Sequence, residues 1–184
     1  SRRRHTRSSL VSWGSEMCIR DSSTTILQRQ LRARLQWGAI QEETIGKSEL
    51  SKLDYYLRKN NYKNIFLVTG KNSYKKTGAK DKISKALKKY NITVFNEFKN
   101  NPQYADALSG ARLFSKTKRD LIICVGGGSV IDMGKLINAF QCHKGLEGEI
   151  VRGEKFLENE LCPLIAIPTT VGSGSESTHF AVVY

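Results

Sequence analysis

Long apolar runs are missing from this chain. None approaches the roughly 20 residues that cross a bilayer, so no membrane anchor is expected. Paired cysteines are missing too. Cys18, Cys124, Cys142 and Cys162 form no CxxC and keep no ligand spacing with histidine, which argues against a zinc site and a disulfide framework. Cys124 falls inside an apolar run, where a reduced thiol packs as a small hydrophobe, so the expected compartment is the reducing cytoplasm. His5, His143 and His179 stand apart from one another, and the sequence assigns neither a metal ligand nor a catalytic residue. Acidic residues are outnumbered, 17 against 30 lysines and arginines, for a formal charge of +13. That excess invites a nucleic-acid reading. No aromatic interleaving accompanies it, however, and Lys75, Lys76, Lys80, Lys82, Lys85, Lys88 and Lys89 gather around one predicted helix. They read as a solvated helix face, and no nucleic-acid partner is expected.

What remains is enough for one globular domain: 184 residues, 39% of them hydrophobic. Residues 1–22, SRRRHTRSSLVSWGSEMCIRDS, show no period of 2 or 3.6, and no apolar core follows the basic start, so they are not a secretory signal. They resemble translated adapter read-through and are expected to be a non-native or disordered leader, leaving 23–184 as the folded domain.

The most informative stretch is 121–135, LIICVGGGSVIDMGK. Five apolar, largely β-branched residues are too short for a helix and predict a strand buried on both faces. From Ser129 the apolar positions Val130, Ile131, Met133, Leu136, Ile137 and Phe140 recur at helical spacing. Between them Gly126, Gly127 and Gly128 make a tight turn, where glycine permits positive φ and lets a ligand approach without meeting a Cβ. The helix start beyond offers unpaired N–H groups and partial positive charge, a place for a phosphate. Ser129 and Asp132 also have the spacing of a capping box, the role preferred for Asp132, and Lys135 reads equally as a helix-surface ion pair.

Around this stretch strands and helices alternate. Helices are predicted at 48–60, 78–90, 104–116 and 130–140, with apolar strands at 65–69, 92–95, 121–125 and 164–167; 145–161 reads as a polar connection. Continuous apolar strands alternating with helices predict a parallel α/β sheet. The segment 167–178, IPTTVGSGSEST, follows a second buried strand and offers many hydroxyls with little bulk. By itself it is a flexible loop. Two such loops at the carboxyl ends of two parallel strands are what nucleotide binding in an open α/β sheet requires. A third strand end, VTGKNS, carries Gly70 with Lys71, Ser73 and Lys75 nearby. Dinucleotide sites commonly place a carboxylate there for the ribose hydroxyls, so its absence among cations favours NADP over NAD, unless Gly70 only shapes a turn.

GGGSVIDMGK together with PLIAIPTTVGSGSEST resembles the GGGSxxDxxK and IPTTxGTGSExT signatures of the iron-containing (group III) alcohol dehydrogenases. The resemblance runs from about residue 38 to the last residue. It implies a Rossmann-like parallel sheet with flanking helices, the dehydroquinate synthase-like N-terminal domain, with the helical C-terminal metal domain missing. Gly127, Gly128 and Ser129 would then hold the pyrophosphate, Thr169, Thr170, Ser173 and Thr178 would line the pyrophosphate and nicotinamide end, and Asn101 would approach the cofactor. Gly70 stands where many members have the ribose-binding Asp. The implied cofactors are NADP or NAD, with Fe2+ or another divalent metal in the full-length parent, a homo-oligomer acting on a small alcohol or aldehyde. The metal ligands of the family have no counterpart in this chain, so the fragment alone is expected to be inactive. The ending THFAVVY and the lysine-rich composition are similar to phosphonoacetaldehyde reductases. The alternative is a nucleotide-binding module without catalysis.

Overall fold

Leu121–Gly126 is buried along its whole length, which a strand achieves inside a sheet covered on both faces. The computed structural model describes residues 9–12, 17–20, 42–45, 49–71, 73–76, 78–116, 118–170, 172–178 and 180–184. The strands are β1 (Ser9–Ser12), β2 (Met17–Arg20), β3 (Glu42–Ile45), β4 (Asn64–Thr69), β5 (Asn91–Phe95), β6 (Leu121–Gly126), β7 (Leu164–Pro168) and β8 (Phe180–Val183). The helices are α1 (Lys52–Lys59), α2 (Ser73–Lys76), α3 (Ala79–Leu87), α4 (Tyr104–Phe114), α5 (Gly128–Cys142) and α6 (Glu147–Arg152). Six strands form one parallel sheet in the order β3-β2-β7-β6-β4-β5, and β1 pairs antiparallel with β8 in a second, two-stranded sheet.

Alternation along β4 divides the core in two, because successive side chains leave opposite faces of a strand. Ile65 and Leu67 meet Leu53 and Leu57 of α1 and Ile83 and Leu87 of α3. Phe66 and Val68 turn the other way, into a larger cluster with α4 and α5 that includes Phe95, Phe114, Met133, Ile137 and Phe140. The expected parallel α/β sandwich is therefore the observed one. The start of β4 is tied down by Asp120, whose Oδ2 accepts the N–H groups of Lys63 at 3.0 Å and Asn64 at 2.9 Å.

Within the stretch 1–22 the backbone of Ser9–Ser12 pairs with β8 and that of Met17–Arg20 joins the main sheet. Four residues suffice for an edge or filler strand, which is too short to show a period. The polar stretch 145–161 contains the short helix α6, whose one buried residue, Ile150, gives no periodic signal. Finally, α5 is no amphipathic surface helix. From Val130 to Phe140 every position is buried, including Asp132, Lys135 and Asn138, because sheet, α4 and β8 surround it.

Candidate functional site

Strand ends locate the site. Thr69 pairs with Val125 and Gly126 pairs with Pro168, so β4, β6 and β7 finish level with one another at their carboxyl ends. The loops leaving β6 and β7 are joined at once, since the Thr169 N–H donates to the Gly126 carbonyl at 2.9 Å. Beyond that bond the chain from Gly127 turns into α5 and the chain from Thr169 passes across it. A Cβ built on Gly127 would lie 2.8 Å from Thr170 Oγ1, and one on Gly128 would lie 2.9 Å from Ser173 Cβ and 3.0 Å from Ser175 Oγ. Contacts that short are not tolerated by a real side chain, so the hydroxyl-rich loop rests on the glycine turn because the turn has no side chains.

This changes the reason for the glycines. Positive φ is not needed there: Gly127 has φ −82°, and none of the three is in the left-handed region. The left-handed positions are in the other loop, at Gly172 with φ 102° and Gly174 with φ 65°, where a Cβ would be strained. They fold 172–178 back upon itself into a 3-10 turn at Ser175–Ser177.

The helix start is not capped as the S-x-x-D spacing suggests. Gly127 is the N-cap, with no side-chain hydrogen bond, and Ser129 lies one residue inside the helix. An uncapped start leaves first-turn amides for a ligand. Asp132 is turned away from these amides; its Oδ2 accepts the Val182 N–H at 3.3 Å, and burial pushes its carboxyl above the usual carboxylate range. Lys135 is not a surface ion pair either. It is fully buried, and its Nζ donates to the carbonyls of Ser175 at 2.7 Å, Thr178 at 2.5 Å and Phe180 at 3.1 Å.

Of the nine residues singled out for a cofactor, the structure gathers Gly127, Gly128, Ser129, Thr169, Thr170 and Ser173 at the β6–β7 crevice. The Thr169 Oγ1 is buried without a hydrogen-bond partner, as is the Thr69 Oγ1 at the end of β4. Thr178 belongs to the same loop, but its hydroxyl lies 3.3 Å from both the Ser175 and Phe180 carbonyls, serving the loop's own backbone. Gly70 follows β4 and lines a separate cavity of about 340 Å³ with Thr69, Lys71, Tyr74, Lys75 and Val94. Lys71 pairs there with Glu97 at 3.1 Å, and burial raises the Tyr74 phenol. Asn101 sits in the exposed turn ahead of α4, its carbonyl accepting from Gln103 Nε2 at 3.1 Å. Sequence reading missed Lys135 and Asp132 as loop holders; their only signal was charge on a helix whose other positions are uncharged.

A metal does not fit the described residues. Among them no group of three or more His, Cys, Asp or Glu is placed to hold one. His143 is committed elsewhere, its Nδ1 3.0 Å from the Ala139 carbonyl and its Nε2 accepting the N–H groups of Glu158 at 3.0 Å and Asn159 at 3.1 Å. His5 and His179 lie outside the described residues. No reaction step through a metal is derived from this chain.

A parallel sheet wrapped by helices, with two small-residue loops meeting over a helix start, defines an open α/β domain of the kind that takes its ligand at the strand carboxyl ends. The family model described as iron-containing alcohol dehydrogenase matches residues 42–184, and the chain belongs to that family. It is 40% identical over 121 residues to the choline dehydrogenase of Bacillus subtilis (strain 168), covering 64% of this chain and 30% of that protein. The 1,3-propanediol dehydrogenase of Citrobacter freundii is 36% identical over 124 residues, 66% of this chain and 32% of its own length. The fold matches that of NADH-dependent butanol dehydrogenase A from Thermotoga maritima with a TM-score of 0.65 at 24% identity, over 70% of this chain and 33% of that one. The chain thus spans about a third of the length of the relatives it matches.

Proposed function

We propose that this chain is the cofactor-binding part of a metal-dependent alcohol dehydrogenase or aldehyde reductase, which moves a hydride between a nicotinamide dinucleotide and an alcohol or aldehyde. The observation that carries the reading is the approach of Ser173 and Ser175 to the bare Gly128 over the uncapped start of α5. First-turn amides at Gly128 and Ser129 hold the pyrophosphate, as helix starts hold anions. The orphaned Thr169 Oγ1 supports the fit, since a buried hydroxyl without a partner is costly until a ligand supplies one. Thr170 and Ser173 add donors from the facing loop, Thr178 shapes that loop, and Asn101 approaches from the turn before α4. The protein's share of the work is to bind and orient the nicotinamide; the hydride chemistry is the cofactor's own.

The cofactor we favour is NADP. Gly70 stands in place of the carboxylate that would repel a 2′-phosphate, and Lys75 lines the cavity beside it, together with Lys71, which would exchange its Glu97 partner for the phosphate. The longer enzyme would be a cytoplasmic homo-oligomer using Fe2+ or another divalent metal held by residues beyond those described. Its substrate would be a small aldehyde, phosphonoacetaldehyde being the first to try against butanal. No helix among the described residues is long and apolar enough to cross a membrane.

Titrating the chain with NADPH and NADH by nicotinamide fluorescence tests the reading. NADPH is expected to bind about tenfold more tightly than NADH, the worth of one charge-assisted contact. Gly128→Val, which drives the facing loop off the turn, is expected to abolish binding of both while the circular dichroism spectrum stays unchanged. Equal affinity of Gly128→Val and the unaltered chain would remove the crevice from consideration.

A further inference from the structure

A buried ammonium is expensive unless every proton finds an acceptor, and removing its partners or the charge itself leaves the others unsatisfied. Lys135 meets that demand with three backbone carbonyls, those of Ser175, Thr178 and Phe180, one for each ammonium proton. Ser175 and Thr178 belong to the part of the hydroxyl-rich loop farthest from its covalent attachment to β7, and Phe180 opens β8 just beyond it. One turn of helix earlier, on the same side of α5, Asp132 accepts the Val182 N–H. The helix whose start forms one wall of the crevice thereby also grips the loop that forms the other. Ser173 and Ser175, the residues resting on Gly128, lie at the gripped end.

We propose that Lys135 is a positioning residue for the cofactor: it draws the Ser175–Phe180 carbonyls together and so sets the loop hydroxyls over the start of α5, without itself touching the ligand. This rests on the crevice being the dinucleotide site. The two motifs are then one device. The lysine of the first fixes the shape of the second, and the crevice keeps its width because both walls share a helix. Methionine, of similar length but without protons, removes the ammonium from all three carbonyls and leaves those of Ser175 and Phe180 only the long contact to the Thr178 hydroxyl, so the loop lifts to hydrate them. Glutamine keeps two donors on a shorter stem and holds the loop in part.

Amide hydrogen exchange of the whole chain, with Lys135→Met and Lys135→Gln as variants, reads the grip directly. The amides of Ser177 and Val182 are expected to exchange at least about tenfold faster in Lys135→Met and by a smaller factor in Lys135→Gln, with those of β4 and α4 unchanged. NADPH affinity is expected to fall in the same order. If Lys135→Met does not fold, Lys135→Gln carries the same comparison. Unchanged exchange at Ser177 and Val182 would overturn the proposal, and so would acceleration spread equally over β4 and β6, which would make the lysine a general core group. Faster loop exchange with undiminished NADPH affinity would overturn the positioning role. Failure of the unaltered chain to bind NADPH counts instead against the crevice as a dinucleotide site, while the exchange measurement still decides whether Lys135 holds the loop.

Discussion

A methyl group on residue 134 has nowhere to go. A Cβ built on Gly134 would sit 2.1 Å from the Cys124 Sγ, deep between α5 and β6. Gly134→Ala is therefore expected to cost about 1–3 kcal/mol through overpacking, read as a lower urea midpoint, although alanine is the better helix former. A double variant with Cys124→Ala should recover much of the loss, because it removes the atom in the way. Asp120 makes a different kind of prediction. Burial alone would raise its carboxyl, but the N–H groups of Asn64 and Lys63 outweigh that and hold it below the ordinary 3.8. A depressed folded value means a contribution fully present above the unfolded value and lost as pH falls through the folded one. Melting temperature should drop on acidification below about pH 4, and the drop should be shallower in Asp120→Asn.

Among elements, α5 and the connection after it hold most of what could not be foreseen. The apolar spacing of Val130, Ile131, Met133, Leu136, Ile137 and Phe140 announces the helix, and the run before it announces β6, since both signals are local and periodic. Burial of the remaining face depends on β8 and α4 arriving from elsewhere in the chain, which no period of one segment records. The same holds for His143. Isolated in sequence, it pins the 158–159 backbone to the end of α5 through two accepted N–H groups. His143→Ala leaves both amides without that partner, at about 1–3 kcal/mol for the local structure. Limited proteolysis should then cut first within 154–161, near the exposed Phe156, while the β4 and β6 core resists as before. Cleavage at the unaltered rate would show that the segment is held by other contacts.

For the molecule as a whole, the meeting of the two loops was legible and its surroundings were not. Two long small-residue motifs, each after a buried strand, were enough to place Gly127, Gly128, Ser129, Thr169, Thr170 and Ser173 together, because parallel topology brings such strand ends side by side. Gly70 and Asn101 follow other strands, and their relation to the crevice depends on sheet order. The short strands β1 and β2 gave no signal at all. Yet β2 meets β7 at only two positions, Met17 with Ile165 and Cys18 with Ala166, and the family match begins later, at residue 42. We expect removal of residues 1–22 to leave the thermal midpoint within a few degrees and NADPH affinity unaltered; a large loss in either would make β2 an integral strand.

The contact between Cys124 and Gly134 also gives the protein an internal clock. Burial raises the Cys162 thiol to about 12 and raises Cys142 as well, so both are sluggish toward alkylating reagents while folded. Their neighbourhood is the backbone from 160 to 162, bound to Cys142 and Asn138, and lifting that short stretch exposes them. Cys124 is sealed under the helix and answers only when α5 leaves the sheet. With Cys18 replaced by serine, one alkylation time course separates fraying at the helix end from opening of the whole core.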